Sequence, residues 1–245
     1  MTIRLSHECN GDLPCSILCD FDGTISPEDT TDTLLARFAL PGWETLEQQW
    51  LAGEIGSEEC MSGQIALLDM TRDALDNCLS GIPIDPAFKY FVALAQRFSV
   101  PLTIVSDGLD YAIQRILDHH GLGHLPIIAN HLEQYSERRW KLSFPWRDDH
   151  CRHASGVCKC AVAQTTKGRV LMVGDGRSDF CVSQQADHVL ARGDLIEECR
   201  RQGITHTVFH HFSDAIPSLE RLLHTPAREP DPTSFNPLMP WKTHD

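Results

Sequence analysis

The chain has 245 residues, with 21 Lys and Arg against 34 Asp and Glu, a formal net charge of −13 that argues against nucleic acid or an anionic membrane surface as partner. Its length suffices for a large buried core, as one domain or as one domain with an insertion. No apolar stretch reaches the roughly 20 residues of a membrane span, residues 1–14 lack the regions of a secretory signal, and ten cysteines are too sparse for a disulfide scaffold, so a cytoplasmic protein is expected, its cysteines free thiols, buried small apolar residues or metal ligands.

Ile17-Leu18-Cys19 reads as a buried strand, and it ends in Asp20-Phe21-Asp22-Gly23-Thr24. Two carboxylates spaced i, i+2 at a strand end can divide the work of nucleophile and general acid/base, which one Asp rarely does alone. Gly23 allows a sharp turn that bares backbone N–H groups to an anion, and Thr24 can cap a following helix. Taken alone, the stretch also fits an ordinary capped corner. Between Asp22 and Ser106 lie 83 residues, whereas a βαβ unit needs about 30. The surplus, from 30 to about 79, carries a helical pattern: Leu34, Leu35 and Phe38, then Leu46 and Trp50, then Ile65, Leu67 and Leu68. Pro41-Gly42 and Ser80-Gly81-Ile82-Pro83 punctuate it. This predicts a small helical insertion over 26–83, with the core formed by 1–25 and 84–224. Trp43, Trp50 and Met61 are read first as the insertion's own core, and second as walls of an apolar pocket for a thioether or choline-like group.

A core helix is expected to resume near Pro86 with Phe88, Phe91, Val92 and Leu94 facing inward. A second strand, 102–105, ends in Ser106-Asp107-Gly108, and a helix over 109–117 ends at His119-His120-Gly121. Residues 127–129 read as a short strand, and 132–144, with Trp140, Leu142 and Phe144 alternating, as a hairpin or flap. A third strand, 170–173, leads into Gly174-Asp175-Gly176-Arg177-Ser178-Asp179, and further strands are expected at 188–191 and 206–209. Beyond Thr225 five prolines and no periodicity predict an extended arm, or one packing Trp241 on a neighbouring subunit of a homodimer. His150, Cys151, His153, Cys158 and Cys160 are dense enough to weigh a structural zinc, but the usual paired spacings are missing. The default is a loop whose cysteines pack around Lys159. His119, His120, His210 and His211 read as helix-end or surface positions.

Three apolar strands thus end in polar, Gly-bearing corners, and an open parallel sheet brings such ends side by side. Lys159, upstream of the third strand, adds a cation. The order of parts resembles the haloacid dehalogenase superfamily of aspartyl-phosphate hydrolases, whose motifs run Asp-x-Asp-x-Thr, Ser/Thr, Lys and Gly-Asp-x-x-x-Asp. All four are present in order, over 16–212. The resemblance implies an α/β fold with a Rossmann-like parallel sheet flanked by helices, a helical cap between the first two motifs, and Mg²⁺-dependent hydrolysis of a small phosphorylated metabolite. It assigns Asp20 as nucleophile and carrier of an aspartyl-phosphate, and Asp22 as general acid/base. It places the metal on Asp20, the main-chain carbonyl of Asp22 and Asp175, with Asp179 supporting the metal or positioning Lys159. It gives the phosphate to Ser106, Lys159, Thr24 and the backbone around Asp107 and Gly108.

Singly, these residues have plainer readings, as helix caps, a surface lysine or a loop; together they favour a phosphate site. Within the superfamily, Cys158-Lys159 and the runs 174–180 and 184–192 are most similar to the phosphoserine phosphatase-like branch. Among its members they are nearest the methionine-salvage phosphatases acting on 2-hydroxy-3-keto-5-methylthiopentenyl-1-phosphate. Ser106-Asp107-Gly108 departs from the Ser-Gly-Gly of that group and looks more like phosphoethanolamine and phosphocholine phosphatases, in which an added carboxylate favours a cationic leaving group. Phosphoserine is a further alternative. A non-catalytic phosphometabolite-binding protein is the reading from another class; Asp20, Asp22, Lys159 and Asp175 together argue against it, because binding alone needs no nucleophile.

Overall fold

The computed structural model describes residues 15–151 and 155–224. Their seven strands are β1 (Cys15–Cys19), β2 (Leu102–Leu109), β3 (Ile127–Gln134), β4 (Trp140–Ser143), β5 (Arg169–Gly174), β6 (His188–Ala191) and β7 (His206–Val208). They form one sheet in the order β4-β3-β2-β1-β5-β6-β7. All pairings are parallel except β3 with β4. The central strand alternates: Ile17 and Cys19 enter one apolar layer, and Leu18 enters the other, as a strand buried on both faces requires. Cys19 lies opposite Ile104 on one side and Val173 on the other, so the segments after β1, β2 and β5 leave the sheet at one edge.

Four helices fill the interval between β1 and the core helix before β2: α1 (Thr30–Phe38), α2 (Trp43–Leu51), α3 (Ser57–Ala66) and α4 (Arg72–Leu79). Asp29 caps α1 by accepting from Asp32 N at 2.9 Å, and Thr71 caps α4 by accepting from Ala74 N at 3.2 Å. Gly42 turns the chain into α2 with φ +116°. α2 contributes no buried residue, whereas α3 packs on β4. The β3–β4 hairpin grips this insertion through the Trp140 indole, which donates to Met70 O at 2.9 Å, and through Arg138, which pairs with Asp69 at 2.6 Å.

The remaining helices are α5 (Phe88–Arg97), α6 (Asp110–His119), α7 (Lys159–Thr165), α8 (Phe180–Ser183), α9 (Gly193–Gln202) and α10 (Phe212–His224). α5 and α10 pack together on one face of the sheet, with Phe88 and Phe91 edge-on to Phe212. Along α5 the buried positions are Phe88, Phe91, Val92 and Ala95; Leu94, expected to face inward, is only half-buried.

Three further boundaries differ from expectation. Leu109 belongs to β2, which continues through Ser106-Asp107-Gly108 with a shift of pairing between Val105 and Leu109. A bulge of this kind re-aims side chains at a strand end, and the helix therefore starts at Asp110. The short strand at 127–129 and the first arm of the hairpin are one continuous β3, because Leu132 stays buried and faces Leu142. The last strand stops at Val208, since Phe209 turns into the aromatic cluster beside Phe212. The Pro-rich segment with Trp241 lies outside the described residues. Among the described residues no helix is long and apolar enough to cross a membrane.

Candidate active site

Asp20 is the first residue beyond β1, and its N–H still donates to Val173 O at 2.9 Å. That bond fixes the backbone while the side chain turns to the sheet edge. One carboxylate oxygen, Oδ1, accepts from Phe21 N at 2.8 Å and meets the Lys159 ammonium at 2.9 Å. Phe21 is itself buried in the core, and its carbonyl accepts from the N–H groups of Thr24, Ile25 and Ser26, closing a tight turn. Gly23 sits in that turn at φ +72°, where a Cβ would lie 2.3 Å from Asp175 Oδ2. Only glycine satisfies both the conformation and the contact.

Thr24 does not cap a helix. Its side chain is buried and its hydroxyl donates to Asp175 Oδ1 at 2.7 Å, joining the first motif to the fourth across 151 residues of sequence. This places Thr24 behind a carboxylate, with its hydroxyl already engaged. Arg192, which no motif singled out, donates to Thr24 O at 3.2 Å and steadies the same turn.

Asp22 points the other way, towards the insertion, and accepts from Thr30 N at 2.8 Å at the start of α1. Burial, then the charge of Asp29, pushes its carboxyl up to about 7, against the opposing hydrogen bonds from Thr30. A Cβ on Gly108 would lie 2.6 Å from Asp22 Oδ2, so the glycine after Ser106-Asp107 keeps room for this carboxyl. Ser106 is buried, and its Oγ accepts from Gly108 N at 3.0 Å, which leaves the hydroxyl proton as its available function.

Asp107 is engaged from three sides. Oδ1 accepts from Val157 N at 2.9 Å and from the Asn130 amide at 3.2 Å, while Oδ2 accepts from Ser57 Oγ at 2.9 Å. The residue therefore fastens the start of α3 to the core. Neither Ser57 nor Asn130 was legible as part of a site.

Lys159 opens α7 and is only 4% exposed. Its Nζ lies 2.7 Å from Asp179 Oδ1, 2.9 Å from Asp20 Oδ1 and 3.0 Å from Ser178 Oγ. Burial works against the ammonium, but Asp179 and Asp20 outweigh it and hold the lysine protonated. Asp179 is fully buried, and its Oδ2 accepts from Asp175 N at 3.0 Å. A Cβ on Gly174 would lie 2.3 Å from that oxygen.

Asp20, Asp175 and Asp179 each present an oxygen within 4.8 Å of the others; the side chain of Asp22 stands outside this group. Burial, then Asp179, pushes Asp175 up to about 6 and raises Asp20 as well, with Lys159 opposing in both. Three carboxylates facing one ammonium leave an uncompensated negative charge. A divalent cation with a preference for hard oxygen ligands fits that deficit and that donor set, and Mg²⁺ meets both conditions.

Asp20, Asp22, Ser106, Asp107, Asp175 and Ser178 floor a cleft of about 370 Å³, and Lys159, Asp179 and Thr24 are buried behind that floor. Its roof comes from the insertion and includes Asp32, Glu47, Trp50, Met61 and Gln64. Trp50, on α2, lines the cleft and is absent from the core, contrary to the first reading; Met61, on α3, lines the cleft and also packs on the core, and Trp43 packs on the core as expected. Arg177, which opens a short 3-10 turn ending at Asp179, places its guanidinium 5.3 Å from the Trp50 ring centre. Of the His/Cys cluster weighed for zinc, Cys151, Cys158 and Cys160 share the second apolar layer, with Cys151 beside Cys158, but His150 is exposed and His153 lies outside the described residues. Among the described residues the only group of three or more His, Cys, Asp or Glu ligand atoms drawn close together is Asp20, Asp175 and Asp179. His211 does find a partner, Asp85, at 3.6 Å.

The model of the haloacid dehalogenase-like hydrolase family matches residues 17–184. A 2-hydroxy-3-keto-5-methylthiopentenyl-1-phosphate phosphatase of Geobacillus thermodenitrificans is 31% identical over 212 residues, covering 84% of this chain and 96% of that protein. The phosphatase of the same name from Exiguobacterium sibiricum is 33% identical over 211 residues, covering 83% and 95%. Among solved structures, a phospho-aspartyl intermediate analogue of phosphoserine phosphatase superposes with a TM-score of 0.63 at 16% identity, covering 85% of this chain and 99% of that one. A probable phosphoserine phosphatase from Vibrio cholerae gives 0.65 at 19% identity, covering 86% and 65%. At those identities the structures speak for the fold alone.

Proposed function

Because the chain belongs to the haloacid dehalogenase-like hydrolase family and its relatives mark it as a phosphoric monoester hydrolase, we propose that Asp20, Asp22, Ser106, Lys159, Asp175 and Asp179 form its catalytic centre. The substrate is a small phosphorylated metabolite, and the enol phosphate named for its relatives is the one the cleft suits best. The observation that carries the reading is the unequal treatment of the two motif carboxylates. Asp20 has Oδ1 held by Phe21 N and Lys159, which orients Oδ2 as the attacking atom. Asp22, with a carboxyl pushed up to about 7, is poised to be neutral when it donates to the leaving alkoxide and ionised when it accepts from water.

In the first half-reaction Asp20 attacks phosphorus and the P–O bond to the leaving group breaks, with Asp22 supplying the proton. In the second, Asp22 takes a proton from water, which attacks the aspartyl-phosphate and restores Asp20. Ser106 donates its hydroxyl to a phosphoryl oxygen, and Lys159 spreads positive charge towards Asp20 and the oxygens it gathers. Asp179 holds Lys159 and receives the Asp175 N–H, so it acts by positioning. Asp20, the main-chain carbonyl of Asp22 and Asp175 would hold a Mg²⁺ ion, which would supply charge against the phosphoryl oxygens and the surplus carboxylates. Residues 26–83 serve as the cap over a core of 15–25 and 84–224.

Trp50, Met61 and Cys60 give the roof a soft, polarizable wall that suits a thioether. Asp107, whose carboxylate already accepts from Val157, Asn130 and Ser57, offers little to an ammonium. A second reading, a cationic leaving group such as ethanolamine or choline, is favoured instead by Asp32 and Glu47 in the roof. Phosphate release in Mg²⁺ from the methylthio enol phosphate, phosphoserine, phosphocholine and phosphoethanolamine decides between them. The enol phosphate is expected to give the highest kcat/KM, and Asp20→Asn to abolish turnover of all four. Binding of these esters with no turnover by the wild type would instead establish a non-catalytic protein.

A further inference from the structure

Lys159 is flanked by two cysteines, and each has a thiol neighbour: Cys158 is hydrogen-bonded with Cys151 and Cys160 with Cys181, and Cys181 packs against the apolar layer that holds Cys160. The second pair bears directly on the site. Cys160 is the second residue of α7 and Cys181 the second residue of α8, and those two helices pack against each other. Lys159 precedes Cys160 by one residue, and Asp179 precedes Cys181 by two. The thiol contact therefore spans the same two segments that the Lys159–Asp179 ion pair joins at 2.7 Å. Hydrolysis as derived above uses neither sulfur.

We propose that Cys160 and Cys181 form a reversible disulfide, with a hydroperoxide as oxidant, that switches the phosphatase site off. Cys181 is half-exposed and Cys160 is buried, so the oxidant reaches Cys181 first. The Cys181 sulfur attacks one peroxide oxygen, the O–O bond breaks, and the other oxygen departs as water, or as an alcohol from an organic hydroperoxide, leaving a sulfenic acid. The Cys160 sulfur then attacks the Cys181 sulfur and expels the hydroxyl group as water. Two electrons pass from the thiols to the peroxide, and both thiol protons leave in the products.

A sulfur–sulfur bond of about 2.05 Å is much shorter than a contact between two thiols, so its formation draws the first turn of α7 towards α8. Lys159 lies in that turn, with its ammonium 2.9 Å from Asp20. A displacement of about 1 Å in a positioned catalytic group can lower turnover by about 100-fold, and a loss of at least about tenfold is expected here.

The test uses the full chain, treated with hydrogen peroxide, alkylated, digested and mapped by mass, with Mg²⁺-dependent hydrolysis of p-nitrophenyl phosphate read on the same samples. A Cys160–Cys181 cross-linked peptide pair, lighter by two hydrogens, is expected to grow in step with the loss of kcat, and dithiothreitol to reverse both. Cys181→Ser is expected to keep the reduced-state activity and resist peroxide, and Cys160→Ala to give no cross-link. Cross-linking of other cysteines only, a disulfide with kcat intact, or Cys181→Ser inactivated at the wild-type rate would each overturn the proposal. The switch rests on the phosphatase reading for its activity readout. If the reduced enzyme shows no turnover, that reading fails separately, and the switch is judged by the peptide map together with calorimetric binding of inorganic phosphate, which must weaken on oxidation.

Discussion

The floor and the roof of the cleft are built on opposite principles. On the floor, Asp20 and Asp175 line the cleft and are interlocked with Thr24, Lys159 and Asp179, buried behind them, by hydrogen bonds and ion pairs of 2.7 to 3.0 Å. The roof is uneven: α3 is fastened to the core through Ser57–Asp107 and through Glu58–Arg147 at 3.1 Å, while α2 buries no residue and reaches the floor through Trp50 over Arg177. Rigid floors suit steps in which small displacements are costly, and loosely held roofs suit admission and choice of substrate. The two regions should accordingly respond differently to substitution.

The largest effect belongs to the floor. On the proposed role of Asp20 as nucleophile, Asp20→Asn is expected to lower kcat by about 10⁴-fold or more, since it removes the charge of the attacking oxygen. The same change takes one carboxylate out of a crowded group, so thermal melting without Mg²⁺ should show no loss of stability. A marked fall in Tm would mean that Asp20 is held for structure. Asp179→Ala is next: it leaves Lys159 buried with one fewer partner, and breaking a buried pair on one side costs about 3–5 kcal/mol. Denaturant unfolding checks this, and Asp179→Asn, which keeps most of the hydrogen bonding, should retain much more stability.

The metal-free floor also has a pH signature. Asp175 has its carboxyl pushed up to about 6 when folded, above the ordinary value of about 3.9. The folded state therefore binds more protons than the unfolded one between those values, and stability rises as pH falls from 7 through 6. Bound Mg²⁺ should replace that gain at neutral pH, and its affinity should drop about tenfold per pH unit below 6, where a proton must first leave. Melting curves with and without Mg²⁺ at pH 5.5 and 7.5 test both signs; a Mg²⁺ shift of equal size at the two pH values would contradict them.

The floor was far more legible in the sequence than the roof, for a physical reason. Each floor segment is a local pattern, an apolar run followed at once by Asp, Ser or Gly, and parallel pairing brings such ends together wherever the intervening chain goes. Lys159 had no such pattern around it and was reached through its place in the order of motifs. Contacts made by the insertion are of another kind. Helical spacing in 30–79 told which positions are apolar, but not that α2 would turn Trp50 towards Arg177 while Trp43 packed inward. Nor does any local signal mark Asn130, buried between Ala129 and His131, or the Thr24 hydroxyl that crosses to Asp175. The bulge that carries Ser106 to Leu109 within β2 was hidden because a Gly-bearing tripeptide reads as a strand's end.

The roof should show smaller and more selective effects. Trp50→Ala removes an aromatic face worth about 0.5–1 kcal/mol to a cation at an exposed site along with part of the cleft wall, so KM for the preferred substrate should rise several-fold. Hydrolysis of p-nitrophenyl phosphate, which asks little of the roof, should keep its kcat. Smaller still is Ser57→Ala. It removes one donor from Asp107, whose carboxylate keeps Val157 N and the Asn130 amide, so the loss should be about 1 kcal/mol or less and fall on the cap rather than on global unfolding. Amide hydrogen exchange should quicken in α3 and leave β1, β2 and β5 unchanged. Equal acceleration in the central strands would mean that the cap and core unfold together, and that the roof lacks the independence assigned to it here.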